Sequence, residues 1–175
     1  NSKEVSRSHK IIVSDHDLIT ITGGKWTSYR RMAEETIDRA IKLGKVEKRK
    51  CRTRTLKIHG YRPNPDLSDH MYVYGSDEPA ITKLIEQNPA LGERLSEKYG
   101  YTAAEVVWAV RKEMALTVED VLARRVRMLF VDAREARAAA RRVAEIMAAE
   151  CGRDEAWIEA QVEAFTAIAN NYIVS

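Results

Sequence analysis

Two prolines flank an asparagine in Arg62-Pro63-Asn64-Pro65-Asp66, and this pentapeptide divides the chain. Each ring removes a backbone donor, fixes φ and pushes the residue before it out of the helical region, so neither helix nor sheet runs through it. The chain must fold as two stretches, one on either side. The boundary is expected between residues 45 and 76, with an arm over 1–44 and a second region over 77–175.

The arm reads strand, turn, helix. Lys10-Ile11-Ile12-Val13-Ser14 is β-prone, Asp15-His16-Asp17 signals a turn, and Leu18-Ile19-Thr20-Ile21-Thr22 is a β-branched run that stops at Gly23-Gly24. A helix is predicted from Trp26 or Thr27 to Gly44. Its apolar positions Met32, Ala33, Thr36, Ile37, Ala40 and Ile41 form one stripe, expected to be buried. Between the regions, Thr53–Ile58 alternates and has the pattern of a short strand.

Beyond residue 76 the punctuation is helical. Asp77-Glu78-Pro79 and Asn88-Pro89 each open a helix with proline in the first turn, where its missing N–H is harmless. Thr102 and Glu105 have capping-box spacing, and Thr117 precedes Glu119 and Asp120 in a positive first turn. Asp132 begins a long Ala/Arg/Glu helix ending near Gly152, and Asp154 begins the last, which ends near Asn170. Six helices follow residue 76. The fold class is therefore mainly α: a short strand-turn-helix arm followed by a helical bundle.

Charge narrows the partners. The net charge is only +3, but residues 30–57 carry a balance of +7 and residues 58–175 one of −5. A basic stretch of this kind suits phosphate, an anionic lipid surface or nucleic acid, or is a solvated surface. No aromatic interleaves it, which counts against single-stranded nucleic acid. No apolar run reaches the roughly 18 residues of a membrane span. Cys51 and Cys151 form no paired motif and read as reduced thiols of a cytosolic protein. The mixed charges Arg111, Glu113, Glu119, Asp120, Arg124, Arg125 and Arg127 on successive helices read as inter-helix ion pairs rather than an anion site.

The chemistry sits at Gly23-Gly24-Lys25-Trp26-Thr27-Ser28. A strand that stops at two glycines and turns into a helix lets a ligand approach the backbone without a Cβ in the way. The free N–H groups and the positive dipole end of the helix then face that ligand. Lys25 adds a full charge, and Thr27 and Ser28 add hydroxyl donors. The pattern suits an anionic or electron-rich ligand. It is no kinase-type phosphate loop, because Gly-x-x-x-x-Gly-Lys-Ser/Thr does not occur.

The string Gly23-Gly24-Lys25-Trp26-Thr27-Ser28-Tyr29-Arg30-Arg31-Met32-Ala33 resembles the second signature of the FAD-dependent glycerol-3-phosphate dehydrogenases: Gly-Gly-Lys, two variable residues, a small one, Tyr-Arg, two more, then Ala. Ser6–Ile11, Leu18–Ile21, Ala104–Val106, Ala109–Ala115 and Thr117–Arg125 are also similar to that family, so the resemblance covers nearly the whole chain. The family's opening Gly-x-Gly-x-x-Gly fold, which holds the FAD pyrophosphate, does not occur here. The resemblance therefore implies the carboxy-terminal part of such an enzyme, with residues 1–44 a remnant of its FAD domain, and inactive by itself.

In the intact enzyme the resemblance implies oxidation of glycerol 3-phosphate to dihydroxyacetone phosphate, with electrons passing through FAD to a quinone. It implies Gly23, Gly24, Lys25, Trp26 and Thr27 as cofactor-binding residues, with Lys25 also the electrostatic stabiliser and a contact for the substrate phosphate. Tyr29 and Arg30 read equally as packing or ligand contacts. The implied location is the cytoplasm, or the cytoplasmic face of the inner membrane as a peripheral protein. No metal and no nucleic acid is implied. Two alternatives stand beside this: a free-standing helical interaction module with a basic arm, and the related oxidase that passes electrons to oxygen. With most of the FAD-domain sheet missing, Leu18–Thr22 is expected to present an unpaired edge, which favours self-association of the arm.

Overall fold

The computed structural model describes residues 8–174; Asn1–Arg7 and Ser175 lie outside the described residues, and with them the Ser6-Arg7 start of one family-like segment. The chain forms two compact units, passing from the first to the second between Ile58 and His59.

The first unit is built on a hairpin. Strand β1 (His9–Val13) and strand β2 (Ile19–Gly23) pair antiparallel, with Ile11 opposite Ile21 and Val13 opposite Ile19. The turn is held by its own polar groups: the Asp17 amide donates to the Ser14 carbonyl at 3.0 Å and the Leu18 amide to Ser14 Oγ at 3.1 Å. The unpaired edge expected for Leu18–Thr22 is therefore corrected in part: β1 covers one side of it, because the Asp15–Asp17 turn returns the chain in register.

A 3-10 turn at Trp26–Ser28 leads into helix α1 (Tyr29–Lys42). Its end is a Schellman motif: the Gly44 amide donates to Ile41 and the Lys45 amide to Ala40, with Gly44 at φ +70°. The expected stripe on α1 is divided. Ala40 is buried, Met32, Thr36 and Ile41 are half-buried, and Ala33 and Ile37 lie exposed. Thr53–Ile58 forms no strand, since no neighbouring chain offers it a ladder. It runs instead along α1.

The regular elements of the second unit are helical apart from one isolated bridge between Arg94 and Thr102. A 3-10 stretch, His70–Asp77, precedes helix α2 (Glu78–Gln87). Asn88 and Pro89 open only a four-residue 3-10 turn, Pro89–Gly92, and not the full helix expected. Its continuation is recruited by α3: the Leu95 amide donates to Tyr101 and the Ala103 amide to Glu93. Helix α3 (Ala103–Lys112) begins in the predicted capping box, with the Thr102 amide donating to Glu105 Oε2 at 2.7 Å. Thr117 and Asp120 also cap reciprocally, but the segment after them winds as a π-helix, Asp120–Arg125, followed by the short helix α4 (Met128–Val131). The wider turn carries Val121, Leu122, Ala123 and Val126 all into the core.

Helix α5 (Ala133–Cys151) is central and packs on α3, α4 and helix α6 (Glu155–Asn170). Asp132 accepts from the amides of Arg134 and Glu135, and Asp154 from that of Trp157, as their positions foretold. Small buried side chains on α5, among them Ala136, Ala140 and Ala144, let its neighbours approach closely around Val143, Met147 and Phe165. Of the mixed charges, Arg111 grips Glu150 of α5 bidentately and Arg125 meets Glu113, while Arg124 binds Glu119 and Asp120 locally instead of across helices. Both cysteines are free thiols.

Candidate functional site

The candidate site lies where β2 ends. Gly23 and Gly24 both take left-handed backbone, at φ +75° and +86°. The reason at Gly24 is contact as well as conformation: a Cβ there would lie 2.7 Å from Met32 Sδ and 3.2 Å from His9 Cβ. The second glycine thus lets the strand end sit directly on the first turn of α1. His9 Nε2 meets Glu35 Oε2 at 2.7 Å, which fastens β1 to the same helix. The hydrogen bond from Arg31, joined by that of His9, holds the Glu35 carboxyl below its ordinary range.

Lys25, Trp26 and Thr27 project from this junction and are exposed. No carboxylate stands in the first turn of the 3-10 segment or of α1, and among the described residues Lys25 has no ion-pair partner. The site is therefore rich in donors and positive. Trp26, 87% exposed, tilts against Tyr29 with ring centroids 5.8 Å apart. Ser28 turns inward: its hydroxyl donates to the Lys25 carbonyl at 2.8 Å and closes the turn instead of facing a ligand. Arg30 likewise bonds Glu34 at 2.8 Å and Thr53 Oγ1 at 3.2 Å, which makes it a structural residue of this unit.

The structure thus brings Gly23 through Thr27 together at one junction and removes Ser28 and Arg30 from it. Sequence reasoning missed Met32, His9 and Glu35 as supports. His9 and Glu35 are 26 residues apart, so no local spacing announces them. Beside the junction, α1 and the chain from Val46 to Ile58 enclose an open groove of about 860 Å³. Ala33, Ile37, Ile41, Val46, Leu56 and Ile58 supply its apolar wall, and Arg49, Lys50 and Arg52 its basic rim.

Residues 17–158 match the family described as the C-terminal domain of alpha-glycerophosphate oxidase. The chain belongs to that family. Its curated relatives include a probable mitochondrial glycerol-3-phosphate dehydrogenase of Dictyostelium discoideum, 35% identical over 85% of this chain and 26% of the relative. The mitochondrial glycerol-3-phosphate dehydrogenase of Mesocricetus auratus is 33% identical over 99% of this chain and 26% of its own length. A probable one of Caenorhabditis elegans is 34% identical, over 93% and 25%. No solved structure matches. The chain thus spans about a quarter of the length of these relatives. The matched region includes the Gly-Gly-Lys junction and the helical unit as far as the first turn of α6. Among the described residues no helix is long and apolar enough to cross a membrane, and no cluster of side chains could hold a metal ion.

Proposed function

We propose that this chain is the carboxy-terminal part of an FAD-dependent glycerol-3-phosphate dehydrogenase that oxidises glycerol 3-phosphate to dihydroxyacetone phosphate and passes the electrons to a quinone. The observation that carries this reading is the donor-rich junction at Gly23–Thr27, lying inside the region matched by the family. Its donor set fits the electron-rich edge of an isoalloxazine. Two left-handed glycines bring the backbone close, and the Lys25 ammonium stands beside them with no ion-pair partner among the described residues. FAD, when bound, supplies the hydride acceptor. Gly24, Lys25, Trp26 and Thr27 would hold its edge, and Lys25 would keep a positive potential where charge gathers during the reaction. The substrate phosphate is the second candidate contact of the same ammonium. Alone, the chain is expected neither to retain FAD nor to turn over substrate, because the pyrophosphate-binding motif is not in it. The enzyme would work in the cytoplasm or as a peripheral protein on the cytoplasmic face of the inner membrane, the basic stretch at 45–57 suiting an anionic surface.

The test is Lys25→Ala in the full-length enzyme. Turnover should fall on the order of a hundredfold while FAD is retained, since the charge matters most in the transition state. Lost flavin with unchanged specific turnover of the loaded fraction would make Lys25 a cofactor anchor only. A second reading is favoured by the family description itself, which names an oxidase. Stoichiometric peroxide from oxygen, without quinone reduction, would establish it.

A further inference from the structure

Glu105 is the most deeply buried charged residue among those described, with 1% of its surface exposed. It stands on α3 and gathers donors from two directions. The Thr102 amide and hydroxyl reach Oε2 from the cap of its own helix, at 2.7 and 3.2 Å. From the segment before α2, His70 Nε2 reaches Oε2 at 3.1 Å and the Tyr74 hydroxyl donates to Oε1 at 3.1 Å. Among the described residues no lysine or arginine pairs with this carboxylate, and His70 is its ion-pair partner.

We propose that His70 and Glu105 form a proton-operated latch, which fastens the segment 59–77 onto the helical unit while the imidazole is protonated and frees it as the proton leaves. A buried carboxylate without counter-charge is costly, and the cost is relieved when its surroundings open to water. The segment is built to open. Residues 61–69 are all exposed. Its apolar hold is one cluster apart from the main core, where Tyr74 and Met71 meet Ile81, Ala104 and the half-buried Leu84, Ile85, Leu91 and Trp108. Arg62 reaches Glu78 of α2 from a side chain 41% in solvent, where such a pair contributes little, and His59 to Asp77 at 2.6 Å joins two residues of the segment itself. His70 keeps 31% of its side chain in solvent, so its proton exchanges freely.

The charges around the imidazole favour the closed form. Glu105 faces it from α3 and Asp69 from its own element, with Nδ1 3.5 Å from Asp69 Oδ1. Arg94 opposes them, and Tyr101 lies edge-on at 5.3 Å. Glu113 adds further negative charge near Tyr74 and Glu105. The bond to Glu105 raises the His70 pKa, against a smaller lowering by burial. With a raised folded-state pKa, the latch is complete below the unfolded value of about 6.5 and is lost as pH rises through the folded one.

Hydrogen–deuterium exchange of the 175-residue chain between about pH 6 and pH 9, corrected for intrinsic rates, tests this. Protection of the amides in 70–77 should fall by about tenfold per pH unit between the unfolded and folded pKa of His70 and then level off. Protection of α5 and α6 should stay flat, which also certifies the fold of each variant. His70→Gln should be flat at the released level, and His59→Gln should keep the slope. A flat wild type overturns the latch, and so does a slope that survives in His70→Gln. A slope that vanishes only in His59→Gln overturns it as well, by assigning the switch to the surface pair.

Discussion

Gly75→Ala should be among the most damaging single-methyl changes in the helical unit. Gly75 sits at φ +54°, ψ −118°, far from the left-handed well that an L-residue can visit. Holding alanine there costs about 1–3 kcal/mol. The added Cβ would overlap the Gly60 carbonyl oxygen and stand 2.8 Å from its carbon, both backbone atoms with no rotamer to turn away. The stretch of chain at Gly60 must retreat to make room, and the bond from the Ser76 amide to Gly60 at 3.3 Å goes with it. That loss adds about 0.5–1.5 kcal/mol, for a total of about 1.5–4.5 kcal/mol. Gly60 itself is the control: at φ +81° an added methyl would meet nothing within 4 Å, so Gly60→Ala should cost only about 1–2 kcal/mol of conformational energy. Urea unfolding followed by helical circular dichroism, with the two units fitted as separate transitions, measures both. Equal midpoints for the two variants would refute the close approach of residues 60 and 75.

Asp120 accepts from the amides of Leu116 and Thr117 and from the Thr117 hydroxyl, so Asp120→Ala should cost about 1–2 kcal/mol in the same assay. Burial alone would raise its pKa, but these donors and Arg124 together lower it. Its contribution is therefore present above the unfolded value of about 3.9 and is lost as pH falls through the folded one; Asp120→Asn should remove part of the acid dependence of stability. The isolated chain should self-associate through the arm, because Ile37, Leu56 and Ile58 leave an apolar groove open rather than because β2 lacks a partner. Light scattering should show a concentration-dependent mass that Ile37→Asp abolishes; a strict monomer at high concentration would end the idea.

Much of the helical unit is written in the local order of residues. Asp132, Asp154 and the Thr102–Glu105 pair each satisfy amides within three positions, so a short window of sequence specifies where those helices begin. Gly44 and Gly152 end helices for an equally local reason, since left-handed backbone is cheap only there. The Gly23–Thr27 junction is legible on the same terms, as two glycines, a cation and a helix start adjacent in the chain. Tertiary structure decided what depends on a partner distant in sequence. Thr53–Ile58 has a strand's alternation and no strand beside it, while Leu18–Thr22 found one in His9–Val13. Asn88-Pro89 opens only one turn because α3's own start draws Glu93 and Leu95 away. Glu105 reads locally as a capping residue, yet His70 and Tyr74, 35 and 31 residues distant, make it the anchor of the chain's entry into the helical unit. Caps and turns close over three or four residues and can be read from them; a buried charge takes its meaning from whatever the folded chain carries to it.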